Sequence, residues 1–263
     1  MVSTKLDKSL APFNEILQSD FFKEIPLELF GINKNDLISI ISDAPKKVTA
    51  FINALIEIAQ NYNLGKERFY FAVLRSFQEL YDNNFPDIEA EVLRFADENQ
   101  LVIGKNIQIE ILEKVLLERF NYAIEVSDFA TYGVLDNLRS MFLPEKKLLL
   151  LNNKLDADKK TFILAKEIAF NVLELKHRPT TYSWLHFGNF EEILNNFYAS
   201  YFAGALLISK SAIRDSISNF FSQNSWRPKS FEGLIDSFTH SPETFYYRST
   251  NVLSSELGIK DLF

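Results

Sequence analysis

Side chains able to do chemistry are sparse and poorly assembled along this 263-residue chain. Its three histidines, His177, His186 and His240, stand at separations that fit no i, i+3 or i, i+4 ligand pair. Cysteine is absent, which removes disulfides, thiolate zinc sites, cysteine-ligated iron–sulfur clusters and a cysteine nucleophile. None of the eight glycines pairs into Gly-x-Gly or a phosphate-cradling loop, and no Gly-x-Ser-x-Gly elbow occurs. The adjacent carboxylates Glu191 and Glu192 point in different helical directions, unlike a glycosidase pair. What stands out is one carboxylate, Glu167, inside an apolar helical stretch over 156–175 whose centre reads Lys166-Glu167-Ile168-Ala169-Phe170.

A zinc-peptidase helix of the form His-Glu-x-x-His sets two imidazoles on one face with a general-base carboxylate between them. In the Lys166–Phe170 frame the carboxylate remains and both ligands are gone. An ammonium has no lone pair at neutral pH, and a phenyl ring offers none. A second segment, Ala199-Ser200-Tyr201-Phe202-Ala203-Gly204-Ala205-Leu206-Leu207-Ile208-Ser209, resembles the Ala-Asn-x-Phe-Ala-x-x-Leu-Leu-Met-Pro helix that follows the metal helix in ImmA/IrrE-type domains. A third, Ser241-Pro242-Glu243-Thr244-Phe245-Tyr246-Tyr247-Arg248-Ser249-Thr250, together with Phe202–Leu207, resembles segments of the short-chain fatty acyl transcriptional regulators. In those bacterial proteins an XRE-class helix-turn-helix precedes an ImmA/IrrE-like domain.

The resemblance spans roughly residues 70–263 and implies a degenerate zincin-like fold, a pseudo-peptidase that is not an enzyme and holds no metal or cofactor. The family's acidic metal ligand would fall among Asn195, Asn196 and Tyr198, and Asn195 offers at best one carbonyl oxygen. Activating water takes about three protein ligands and an open position. The resemblance also implies that an acyl-CoA or related acyl metabolite is sensed. Aromatic side chains would line its slot, Arg214, Arg227, Lys229 and Arg248 would meet its phosphates, and Trp184 and Asn195 would lie nearby.

The elements that must position these residues are mostly helices. After Ser42-Asp43-Ala44-Pro45, the residues Val48, Phe51, Ile52, Leu55, Ile56 and Ala59 follow helical spacing, with Asp43 as cap, and Asn63-Leu64-Gly65 closes that helix. A second helix over 66–81 turns Phe69, Val73, Phe77 and Leu80 inward, and Phe85-Pro86-Asp87 starts a third that ends near Asn99-Gln100. The seam at Asp82-Asn83-Asn84 divides a helical connector, 1–82, expected to serve as the dimerisation region, from a regulatory domain, 83–263. Within the latter we expect a short strand at 101–104, a helix at 107–120, a strand at 122–126 and a hairpin of 138–142 with 148–151. The hairpin's second arm is apolar on both faces, so we expect it to be central or covered by helices. Helices at 156–175, 190–208, 210–223 and 241–256 complete an α+β, predominantly helical fold with a small antiparallel sheet.

Composition bounds the rest. With 47% hydrophobic and 24% charged residues the chain is globular, and 25 Phe, 10 Tyr and 2 Trp promise an aromatic core. The balance of 28 Lys plus Arg against 35 Asp plus Glu disfavours a large phosphate-binding surface, and no helix-turn-helix pattern occurs in 1–82. DNA is therefore expected to be met by a helix-turn-helix head outside this chain, and the apolar end Gly258–Phe263 is expected of a piece of a longer protein. No apolar run approaches roughly 18–20 residues, and the start MVSTKLDKSL lacks a signal core, so a cytoplasmic chain without membrane contact is expected. A two-fold operator asks for a homodimer.

The reading is the non-catalytic sensor portion of an XRE-family regulator. Its alternatives are a metallopeptidase-like enzyme using Glu167 at an unconventional site, and a purely structural interaction module. Residue by residue, Glu167 reads most simply as a helix carboxylate paired with a nearby lysine. Lys166 reads as a solvent-exposed lysine, or else as an ammonium in the metal's place reaching Asn195. Phe170 reads as core, Arg227-Pro228-Lys229 as a solvated turn, and Trp184 with Phe187 as a ring-rich loop over the core or a pocket mouth.

Overall fold

Prolines in first turns and small polar caps set where many of the helices start. The computed structural model describes residues 27–33, 36, 66–104, 107–135, 137–179, 189–223 and 225–259. The chain separates into two compact units, Met1–Leu80 and Tyr81–Phe263. In the first, a 3-10 turn at Leu27–Phe30 accompanies helix α1, Lys66–Leu80, and Phe30 meets the Phe77 ring edge-on at 6.3 Å. The helix expected after Pro45 lies outside the described residues.

The second unit opens with α2, Pro86–Glu98, whose first turn holds Pro86. Leu101–Gly104, expected as a strand, is a turn. Gly104 adopts a left-handed φ of +72°, and Ser209 N lies 2.6 Å from where its Cβ would be. Its amide donates to Leu206 O at 3.2 Å, so the backbone is drawn against the end of a helix and not into a sheet. Helix α3, Ile109–Phe120, ends on Asn121 in the left-handed region at φ 59°.

Three strands follow: β1, Ala123–Ser127; β2, Ser140–Leu143; β3, Leu148–Asn152. The sheet order is β1-β3-β2. β2 and β3 form the expected antiparallel hairpin, with Ser140 opposite Leu151, while β1 runs parallel to β3, with Ala123 opposite Leu148. The sheet is therefore mixed. The 3-10 segment Phe129–Leu135 carries the chain past the central position, so β2 is laid down on the far side and β3 fills the middle. Its four leucines suit that place, apolar to both faces.

Helix α4, Ala157–Val172, packs against α3 and against α5, Phe190–Leu207. α5 also packs on α2, and its Ala199, Ala203 and Ala205 are fully enclosed. Three further helices are α6, Lys210–Phe221, α7, Pro228–Asp236, and α8, Pro242–Leu257. They share a cluster of Ile208, Ile213, Ile217, Ile235, Phe245 and Val252. α7 replaces the turn expected at Arg227-Pro228-Lys229: Pro228 opens a nine-residue helix with a single buried residue, Ile235. The α+β class stands, and no helix among the described residues is long and apolar enough to cross a membrane.

Candidate functional site

Asp156 starts α4 by accepting from Lys159 N at 2.8 Å, and the helix then plunges between its neighbours. Every residue from Ile163 to Phe170 is buried. A helix enclosed on all sides puts both members of the Lys166-Glu167 pair inside, where an ionised group must be paired. Glu167 is 1% exposed. Arg178, just beyond the end of α4, returns its guanidinium to Glu167 Oε2 at 2.7 Å, and Tyr122 OH donates to the same oxygen at 3.2 Å. Asn171 Nδ2 donates to Tyr122 OH at 3.0 Å and to the Glu167 carbonyl at 2.7 Å. The Arg178 guanidinium lies 3.5 Å from the centre of the Phe142 ring. Burial, followed by the Glu167 charge, pushes the Tyr122 phenol up. The expectation of a lysine-paired Glu167 is corrected: it is ion-paired to an arginine, and the carboxylate is enclosed.

Lys166 is likewise buried, not solvent-exposed. Its Nζ donates to Asn196 Oδ1 at 2.6 Å, while Asn195 turns away and donates to His177 O at 2.7 Å. Successive positions on α5 differ by about 100° in direction, so only one of the two asparagines can face α4. Burial pulls the Lys166 ammonium down to about 8; Glu167 opposes that shift and Arg139 adds to it. Phe170 is core, as expected. A lysine and a phenylalanine at the two ligand positions do not fit a zinc ion, and among the described residues no three His, Cys, Asp or Glu side chains converge as a metal site requires. His177 and His240 are exposed, and His186 lies outside the described residues.

Two of the four cations expected to meet ligand phosphates, Arg248 and Arg214, are engaged by carboxylates. Arg248 is 0% exposed and forks onto Glu89 at 2.6 and 3.1 Å, with its Nε on Ile208 O at 3.1 Å. Tyr201 OH donates to Glu89 Oε1 at 3.0 Å and accepts from Phe85 N at 3.2 Å, so the fork ties α2, α5 and α8 together. Arg248 thus has a structural role in joining these helices. Arg214 pairs with Asp215 at 2.8 Å and Glu256 at 3.2 Å. Both arginines border a cavity of about 520 Å³ together with Lys210, Glu89 and Glu256, where carboxylates offset the cations. Arg227 and Lys229 are not among its walls; they stand exposed at the start of α7. Trp184 lies outside the described residues.

No family model and no curated protein matches the sequence. Among solved structures the fold is similar to that of a Mycobacterium tuberculosis transcriptional regulator. The TM-score is 0.50 at 18% sequence identity, covering 68% of this chain and 51% of that one. The chain thus spans about half the length of that structure. At this identity the likeness is one of fold.

Sequence reasoning missed Arg178, Tyr122, Asn171 and the Glu89 partner of Arg248, and it paired Lys166 with Asn195 where Asn196 is the partner. None carries a motif. Tyr122 lies 45 residues from Glu167, and Glu89 lies 159 from Arg248, so only the folded chain brings them together.

Proposed function

We propose that this chain is the regulatory, non-catalytic portion of a bacterial transcription factor of the XRE-associated, ImmA/IrrE-like kind. The carrying observation is the fate of the Lys166-Glu167 pair. A hydrolytic base must reach a water beside a Lewis acid. Glu167 is instead enclosed against Arg178 and Tyr122, and the preceding ligand position holds an ammonium bonded to Asn196. The likeness of fold to a Mycobacterium tuberculosis transcriptional regulator supports the regulatory half of the reading. Operator contact belongs to a helix-turn-helix outside this chain, in keeping with a net charge of −7. A bound metabolite or partner protein shifts the connector helices between two arrangements in a cytoplasmic homodimer, and operator affinity is the readout. The engagement of Arg248 and Arg214 by carboxylates weighs against an acyl-CoA whose phosphates they would hold.

The test is chromatin immunoprecipitation of the tagged full-length protein in its own host, beside peptide-hydrolysis assays of the purified chain with and without zinc. Enrichment at discrete chromosomal sites and no cleavage are expected. Uniform DNA recovery would sink the regulatory reading, and zinc-dependent cleavage lost in Glu167→Gln would restore the enzyme.

A further inference from the structure

Phe220 and Phe221 lie at the end of α6, and Trp226 stands directly before the Arg227-Pro228-Lys229 start of α7. Proline in the first turn fixes where α7 begins, and Arg227, its cap residue, spends no side-chain bond on capping. The rings of α6, α7 and α8 meet here in one continuous face. Phe220 and Phe245 are buried beneath it and Phe231 is half-buried, while Phe221, Trp226 and Tyr246 stand 62%, 60% and 50% exposed. Trp226 sits edge-on to Phe220 at 5.3 Å and 5.2 Å from Phe231, which in turn lies 6.4 Å from Tyr246. An indole held by two rings is fixed in position while most of its surface is in water.

The core below is closed without the outer rings: Ile213, Ile217, Ile235, Phe245 and Val252 fill it, and Phe231 packs against them. Exposed aliphatic side chains such as Leu93, Leu117 and Val126 are spread over α2, α3 and β1 and are ordinary surface. Contiguous exposed rings are the composition of an interface core. Charge at its edge selects the occupant. Arg227 and Lys229 are exposed, and neither makes an ion pair among the described residues. The carboxylates of α7, Glu232 and Asp236, come later in the helix, and Asp236 lies 3.9 Å from His240. The Trp226 end of the face is therefore cationic. A nucleic acid would meet only these two cations on a chain of net charge −7, too few to neutralise a run of phosphates. A peptide whose carboxylates flank a bulky apolar side chain satisfies rings and cations together.

We propose that this face docks an acidic segment of a partner protein, with an apolar side chain of the partner against Trp226 and its carboxylates on Arg227 and Lys229. Trp226 is the anchor, because a large ring already fixed by its neighbours loses little freedom on binding. Arg227 gives direction, since a guanidinium takes a carboxylate in a two-pronged geometry that an ammonium does not. α7 buries only Ile235, and presenting Trp226, Arg227 and Lys229 is the task that its thin packing leaves open. Docking rests on the rings and the charge; only its use as a regulatory input rests on the regulatory reading.

The test is selection of a displayed library of random twelve-residue peptides on the intact chain, followed by fluorescence anisotropy with the enriched peptides. These are expected to combine Asp or Glu with a bulky apolar residue and to bind with a micromolar Kd. Trp226→Ser weakens binding at least tenfold. The double variant Arg227→Glu with Lys229→Glu, at two exposed positions, weakens it about tenfold and flattens its dependence on salt. Circular dichroism of both variants should match the parent. Enriched peptides without acidic residues, or binding unchanged in both variants, overturn the proposal. So does binding of a thymidine oligonucleotide that Trp226→Ser abolishes, which assigns the face to nucleic acid, and so does self-association in sedimentation that Trp226→Ser abolishes, which assigns it to a second copy of the chain. Failure of chromosomal enrichment with peptide binding intact would remove the regulatory reading and leave the docking face standing.

Discussion

Replacing Arg248 by methionine keeps most of the side-chain volume and removes the guanidinium that Glu89 and the Ile208 carbonyl depend on. Three hydrogen bonds disappear, at 2.6, 3.1 and 3.1 Å. Removing one partner of a buried ion pair costs about 3–5 kcal/mol, because the other charge stays enclosed. Glu89 keeps Tyr201 OH at 3.0 Å and its side chain is 19% exposed, which places the expected loss near the lower end, about 3 kcal/mol. In a unit of this size that lowers Tm by roughly 6–12 °C. Urea and thermal unfolding followed by circular dichroism measure it, with Arg227→Met, at an exposed cation, expected within about 0.5 kcal/mol of the parent. In a double-mutant cycle Glu89→Gln with Arg248→Met should lose less than the sum of the single changes. A loss below about 1 kcal/mol for Arg248→Met, with cooperativity unchanged, would refute the structural assignment and return Arg248 to the candidates for ligand binding.

Two further outcomes follow from the same structure. Lys166 titrates near 8 when folded and near 10.5 when unfolded, so the folded state holds fewer protons between those values and the lysine's penalty on stability fades as pH rises through that window. The stability advantage of Lys166→Met over the parent, read by urea unfolding, should therefore shrink by about 3 kcal/mol between pH 7.5 and 10.5; an advantage independent of pH would contradict the burial of the ammonium. Gly104→Ala should destabilise by about 1–3 kcal/mol in the same assay, since the new methyl group meets Ser209 N at 2.6 Å on a backbone with positive φ. Parent-like unfolding would show that the 101–104 turn can relax away from α5.

Local periodicity carried most of the helices. Pro86, Asp156 and Ser241 begin α2, α4 and α8 within a residue of where caps and first-turn prolines point. The missing helix, α7, is short and buries one residue, so it leaves almost no apolar stripe to read. The parallel pairing of β1 with β3 was equally silent, because strand alternation records which face is buried and not which neighbour lies alongside.

At the Lys166-Glu167-Phe170 frame the sequence by itself determined the chemistry that is missing: a lysine and a phenylalanine stand where lone pairs would be required, whatever the fold does. It also determined the helices, the central leucine strand and the aromatic core, because these depend on residue spacing within a few turns. Where Lys166 and Glu167 lie was decided only by tertiary structure. Over Ile163–Phe170 the helix is covered on every side, so the charges there had to find partners from the residue before β1, from α5 and from the segment beyond the helix's own end. Arg178, Tyr122 and Asn196 were available for that only after the chain had closed around them, since ion pairing acts over a few ångströms in space and leaves no period in the sequence.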